Sequence, residues 1–192
     1  MSDRGHGAIH DQALLDRLNA LSTESFSGEE FRTTRVNADP IAPSTSGGRW
    51  APDAMNGIEV PILYTNFERD GSFAEVISFL VGLTPVPGPR PLRVSRLSAS
   101  TGKTLRLVRA NLETLGVDMA RFGERDYVRT QSIGAAIGFL ELDGLIAPSA
   151  RWPTDNLMIF TANHAPTERL EVIDSQDVEW RSWAKANGFV ES

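Results

Sequence analysis

The segment from Gly71 to Leu83 most constrains how this chain can fold. Phe73, Val76, Ile77, Leu80 and Val81 recur there at the i, i+3, i+4, i+7, i+8 spacing of one buried helical face. A helix with so wide an apolar stripe must be covered by a sheet or by other helices. Glu75 is the only charge in the segment and falls on the other side, with Ser78, Phe79 and Gly82. A solvated face would carry several charged residues, so this one predicts the wall of a cleft. The competing reading is a plain surface glutamate, because ionisable side chains are mostly exposed.

Around this helix the order of apolar runs and chain breakers sets the fold class. Phe31 to Val36 predicts a strand, and Ala38 to Gly57 a long loop broken by Pro40, Pro43, Gly47, Gly48 and Pro52. Loops of that length in compact domains are often functional. Ile62 to Thr65 predicts a second strand, and the proline-rich Thr84 to Pro91 a stiff connector. Leu92 to Leu97 and Thr104 to Val108 predict two strands around a turn at Ser100-Thr101-Gly102-Lys103. A helix from Thr130 to Leu140, strands at Gly144 to Ala147, Leu157 to Thr161 and Leu170 to Ile173, and a helix from Val178 to Asn187 complete the pattern. Strands and helices mix without βαβ alternation, which predicts an α+β fold.

Upstream, Ile9 to Ser22 predicts a helix with an Ile9, Leu14, Leu18 and Leu21 stripe, docked on its own domain. A polar linker from Ser22 to Gly28 follows. This reading divides the chain into a helix and linker at 1–28 and a main domain at 29–192.

A formal net charge of −6 argues against general nucleic-acid binding, which favours a broad basic surface. The chain has no cysteine, which excludes disulfides, thiol nucleophiles and thiolate metal sites. No apolar run approaches the roughly 20 residues needed to cross a bilayer, and no signal core is evident, so a cytoplasmic protein without membrane contact is expected. Homo-oligomerisation is left open.

Several short patterns invite chemical readings. Thr101-Gly102-Lys103-Thr104 ends like a phosphate-binding P-loop, but the pattern requires glycine where Leu97 stands, so a turn is expected. Arg90, Arg93, Arg96, Lys103, Arg106 and Arg109 form a basic stretch, read as the exposed side of a hairpin with cations blunting an edge strand. Its alternative is a docking surface for an acidic partner or a nucleotide. His6 and His10 stand four apart among glycines and His164 stands alone, so no histidine metal site is expected. Gly47-Gly48-Arg49-Trp50 combines close backbone approach with a guanidinium able to grip phosphate or carboxylate. Arg32, Tyr64 at a strand end and Ser149 after a strand each have an ordinary structural reading when taken singly.

In order, Phe31-Arg32, Gly48-Arg49-Trp50, Ile62-Leu63-Tyr64, Phe73-Ala74-Glu75-Val76 and Gly144-Leu145-Ile146-Ala147-Pro148-Ser149 resemble the RES domain family. Thr130-Gln131-Ser132-Ile133-Gly134 and Asn156-Leu157-Met158-Ile159-Phe160 look like its later segments. The resemblance implies a single domain related to the ADP-ribosyltransferase fold, with mixed and antiparallel sheets flanked by helices. It implies a toxin that consumes NAD+ as substrate, without a metal, and an Xre-type antitoxin as partner. Glu75 would stabilise the positive charge that develops on ribose, and Ser149 would bond the nicotinamide amide or its ribose. Arg32 and Arg49 would hold the phosphates and Tyr64 would stack on nicotinamide. Arg35 competes with Arg32, and Thr154 and Ser132 with Ser149. The acceptor is left open between water or phosphate, giving a glycohydrolase or phosphorylase, and a protein, giving an ADP-ribosyltransferase. A non-catalytic module that only binds a partner is the reading from another class.

Overall fold

The structure, a computed structural model, describes residues 11–52 and 59–190. Ile9, His6, His10 and the end of the long loop at Gly57 lie outside the described residues.

Strand β1 (Thr23–Arg35) is followed by β2 (Ile62–Asn66), helix α2 (Arg69–Leu80) and β3 (Pro91–Arg106). After them come α3 (Arg109–Thr114), α4 (Val128–Phe139), β4 (Gly144–Pro148), β5 (Asp155–Phe160), β6 (Leu170–Glu179) and α5 (Trp180–Ala186), with α1 (Gln12–Asn19) preceding all of them. The strands form one mixed sheet in the order β1-β2-β5-β4-β3-β6, and β1 also pairs with β3. Among the described residues only β3 and β4 run parallel. The expected α+β architecture of mixed sheet and flanking helices is what the chain adopts.

β2, β4 and β5 are buried on both faces, which explains their continuous apolar runs. Ile62, Leu145, Met158 and Phe160 face one core shared with α1 and α4, whereas Leu63, Ile146, Leu157 and Ile159 face an inner cluster with Leu97 and Ala99. Phe73, Ile77 and Leu80 of α2 pack with Leu92, Val94 and Trp180 in a third cluster, with Val76 and Val81 packed against it. The helical face read from the sequence is therefore the one that packs.

Several expectations change. The Ser22–Gly28 linker is instead the start of β1, and the 28/29 division falls inside that strand. Its composition is polar because that part of the strand is largely exposed while paired to β3. As expected, α1 docks on its own domain: Leu14, Leu15 and Leu18 lie in the same core as Ile133 and Ile137 of α4. β3 runs unbroken where two strands and a turn were expected. Glu24 pairs with Thr104 and Phe26 with Thr101, so Gly102 and Lys103 form a bulge rather than a turn. Their N–H groups donate to the Asp143 carboxylate at 2.8 and 2.7 Å, so these amides already hold an internal anion.

The basic stretch is consequently no hairpin. Arg93 pairs with Asp177 and Arg96 with Glu29 and Asp174 on the neighbouring strands, and Arg106 with Glu24 of β1 and with Asp155 at the start of β5, one strand further on. These pairings extend β6 to Glu179, well past Ile173, because an exposed acidic strand is held by the arginines opposite. The last helix accordingly begins at Trp180, where the Glu179 side chain accepts from the N–H groups of Arg181 and Ser182.

Candidate active site

β1 and β2 touch through a single register pair, Phe31 with Asn66. Beyond it β1 stays with β3, while β2 ends and the chain turns into α2. A cleft of about 710 Å³ opens at this divergence. That size suits a sizeable small-molecule ligand.

Glu75 lines the cleft from α2 and is its only carboxylate among the described residues, facing the guanidinium-bearing Arg32, Arg49, Arg125 and Arg151. Ser78 and Phe79 line it too, as the odd helical face predicted, and so does Val76 from the face expected to be buried, whereas Gly82 is not in the wall and sits against Arg125. Glu75 Oε1 accepts hydrogen bonds from Ser149 Oγ at 2.6 Å and from Asn156 Nδ2 at 3.0 Å.

The first turn of α2 is clamped by two indoles. Trp152 Nε1 donates to Glu68 Oε2 at 3.1 Å and Trp183 Nε1 to Asp70 Oδ1 at 2.9 Å.

The other expected site residues divide by what they already hold. Arg32 lines the cleft and donates from Nη1 to the carbonyls of Pro40 and Ala42, at 3.0 and 2.6 Å. Burial pushes its guanidinium down to about 10, with Asp39 opposing. Arg35 is exposed at the end of β1 and lines a different cavity with Arg90, so the structure brings Arg32 and not Arg35 to Glu75. The Arg49 guanidinium lies 4.6 Å from the Phe122 ring centroid and 4.7 Å from that of Tyr127, and donates to the Glu124 carbonyl at 3.3 Å. Burial lowers its pKa, and Tyr127 and Glu75 pull it back up.

Tyr64 also lines the cleft, with its hydroxyl accepting from Trp50 N at 3.2 Å. Burial raises the pKa of that hydroxyl. A Cβ on Gly48 would come within 2.8 Å of the same oxygen, which is why a glycine stands there. Ser149 is buried and reaches Glu75 from behind the cleft wall, bordering a separate cavity of about 510 Å³. Its Oγ also accepts from the N–H groups of Arg151 and Trp152, at 3.0 and 3.2 Å. Ser132 is exposed and bonds Val128 O, and Thr154 lies beside Ser149 with its N–H and carbonyl in the local turn.

Sequence reasoning missed Arg125, Arg151 and the paired asparagines Asn66 and Asn156. The asparagines left a faint signal, because asparagine is depleted in strands and both stand at the ends of apolar runs in their strands. The arginines left none, since both lie in irregular segments. Among the described residues no group of three His, Cys, Asp or Glu side chains could hold a metal ion. His164 is fixed by Nε2 against the Ser100 carbonyl at 2.8 Å.

A closed mixed sheet that splits at one strand pair defines an α+β protein, and the split is lined by four arginines and, among the described residues, one carboxylate. The chain belongs to the RES domain family, whose model matches residues 25–181. Its fold is similar to that of a chain in the crystal structure of the M. tuberculosis MbcT-MbcA toxin-antitoxin complex, with a TM-score of 0.76 and 19% identity over 93% of this chain and 98% of that one. No curated protein matches the chain in sequence. Among the described residues no helix is long and apolar enough to cross a membrane.

Proposed function

We propose that this protein is the toxin of a toxin–antitoxin pair and consumes NAD+ by breaking the bond between nicotinamide and ribose. The observation that carries the reading is Glu75 itself: a fixed carboxylate, alone among arginines in a cleft of ligand size. NAD+ brings two phosphates for the guanidinium groups and a ribose that becomes cationic as the bond breaks.

When the ribose C1′–N bond opens, its electron pair leaves with nicotinamide and C1′ gains oxocarbenium character. A carboxylate beside that carbon stabilises the charge. The acceptor then gives an electron pair to C1′ and loses its proton. Water or inorganic phosphate as acceptor makes a glycohydrolase or phosphorylase, and a protein nucleophile makes an ADP-ribosyltransferase. Glu75 Oε2 takes no hydrogen bond among the described residues and is the oxygen available to the substrate. Arg32 and Arg49 would bind the pyrophosphate and Tyr64 would stack on nicotinamide. Ser149, saturated by its own bonds, would act on Glu75 rather than on the substrate. An Xre-type antitoxin that covers the cleft is the proposed partner, and the cytoplasm, where NAD+ is found, the proposed site of action.

The test is NAD+ turnover by purified wild-type protein and by Glu75→Gln. The variant should keep fold and NAD+ affinity while kcat falls by about 100-fold or more, as when a group acting in the transition state is neutralised. Equal turnover by the two proteins would overturn the assignment. Labelled NAD+ then identifies the acceptor, as free ADP-ribose, its phosphorylated form or labelled protein.

A further inference from the structure

The carboxylate at the centre of the cleft is held through a pair of asparagines whose bonds run in one direction. Asn66 is 1% exposed, and its Oδ1 accepts from the backbone N–H of Glu68 at 2.7 Å. An amide whose oxygen is committed must present its NH2 on the other side. Asn66 Nδ2 does so, donating to Asn156 Oδ1 at 2.5 Å. With its oxygen taken, Asn156 in turn presents Nδ2 to Glu75 Oε1 at 3.0 Å. A main-chain N–H, which cannot reverse, therefore dictates the orientation of both amides. Reversing Asn156 would aim its carbonyl at the carboxylate, and reversing Asn66 would set two amide oxygens against each other.

Two further features hold the relay. Asn66 and Asn156 are register partners across β2 and β5, so their side chains lie on one face of the sheet. Gly71 closes over the buried amide, where an added Cβ would stand 2.2 Å from Asn66 Oδ1. On the other flank, the two backbone N–H groups donated to Ser149 Oγ leave its hydrogen for Glu75 Oε1. Both donors converge on one oxygen, and the other is left to the cleft.

The geometry points to Asn66 as a positioning residue for the reaction at Glu75, acting through the orientation of the Asn156 amide. It rests on the NAD+-consuming reading but predicts an effect on the side-chain amides that needs no turnover. Asn66→Asp is nearly isosteric and replaces the donor by an acceptor, so the Asn156 amide turns over and presents its oxygen to Glu75. Asn156→Ala removes the donor at a half-buried strand position that tolerates a smaller side chain.

Each single variant should lower kcat by about 10-fold or more, in the range that orienting partners of catalytic groups contribute elsewhere. KM for NAD+ should change less than about threefold, because ground-state contacts remain. The double variant should be no slower than Asn156→Ala alone, since Asn66 acts only through Asn156. Multiplying effects, or full kcat in a folded Asn66→Asp protein, would overturn the relay. Side-chain amide resonances followed by ¹⁵N NMR give the independent arm: the Asn156 NH2 signal should move in Asn66→Asp and in Glu75→Gln. An Asn156 signal unmoved in both would sink the relay even with NAD+ turnover intact. Wild-type protein that consumes no NAD+ while the signal moves would instead sink the proposed reaction and leave the orientation standing.

Discussion

Glu30 carries a cost that should be visible as a pH dependence of stability. Its side chain shares a strand face with Phe26, which packs on the inner apolar cluster, and it is 0% exposed. Burial lifts its pKa from 4.5 to about 8, with a Thr65 hydrogen bond opposing. The Thr65 hydroxyl shares its single hydrogen between the Leu157 carbonyl at 2.9 Å and Glu30 Oε2 at 3.3 Å, so the bond it gives Glu30 does little to offset the burial. Oε1 has no partner. Between pH 4.5 and about 8 the folded protein keeps a proton that the unfolded chain releases. The stabilising contribution is therefore complete below 4.5 and falls by about 1.4 kcal/mol per pH unit until the folded group ionises.

Over the interval from 4.5 to about 8 the loss reaches about 5 kcal/mol, a large share of the 5–15 kcal/mol stability of ordinary domains. Glu30→Gln keeps the shape without titrating. Urea denaturation of both proteins from about pH 5 to pH 8 should show the variant gaining about 3 to 4 kcal/mol relative to wild type, with no further gain well above pH 8. Parallel stability curves would refute the reasoning, because they would mean that Glu30 is solvated or paired on folding.

Two other predictions test the cleft walls. A Cβ on Gly134 would stand 1.7 Å from the Trp50 carbonyl oxygen, so Gly134→Ala should displace the 47–51 segment and cost about 1–3 kcal/mol, read as a fall in Tm together with weaker NAD+ binding. Arg32→Ala should weaken NAD+ affinity by about 10-fold or more, while Arg35→Ala leaves it unchanged by isothermal titration; the reverse result would move the phosphate role to Arg35.

What could be read in the sequence follows from how far each interaction reaches along the chain. α2 was legible because one helix face carries its whole signal, and β4 and β5 because burial on both sides writes an apolar run. The first half of β1 was not, since Thr23 to Gly28 owes its extension to β3, far away in sequence. The Gly102–Lys103 bulge hid for the same reason, its anchor being Asp143. In the site, Glu75 stood out as a lone charge, and the order of family segments brought Arg32, Arg49, Tyr64 and Ser149 to notice. Asn66 and Asn156 matter through the direction of their amides, which no spacing encodes.

The cleft arginines differ in how much freedom a ligand would have to remove. Arg32 is tied to two carbonyls, Arg49 is stacked between Phe122 and Tyr127, and Arg125 reaches the Ser78 carbonyl while lying over Phe79. None of these direct partners carries a negative charge, and the acidic neighbours Asp39 and Glu75 only partly offset the burial of Arg32 and Arg49. Burial has already lowered the pKa of Arg32 and Arg49, and an anion entering the cleft would offset that penalty. The ordering of these side chains is likewise complete before binding, which leaves more of the interaction to appear as affinity. Arg151 makes no side-chain hydrogen bond or ion pair among the described residues, although Ser149 fixes its backbone N–H. Under the proposed reaction it would thus be the cleft arginine able to follow the substrate as charge moves. Its replacement by alanine should lower kcat more than it raises KM for NAD+, whereas a change confined to KM would make it one more fixed phosphate ligand.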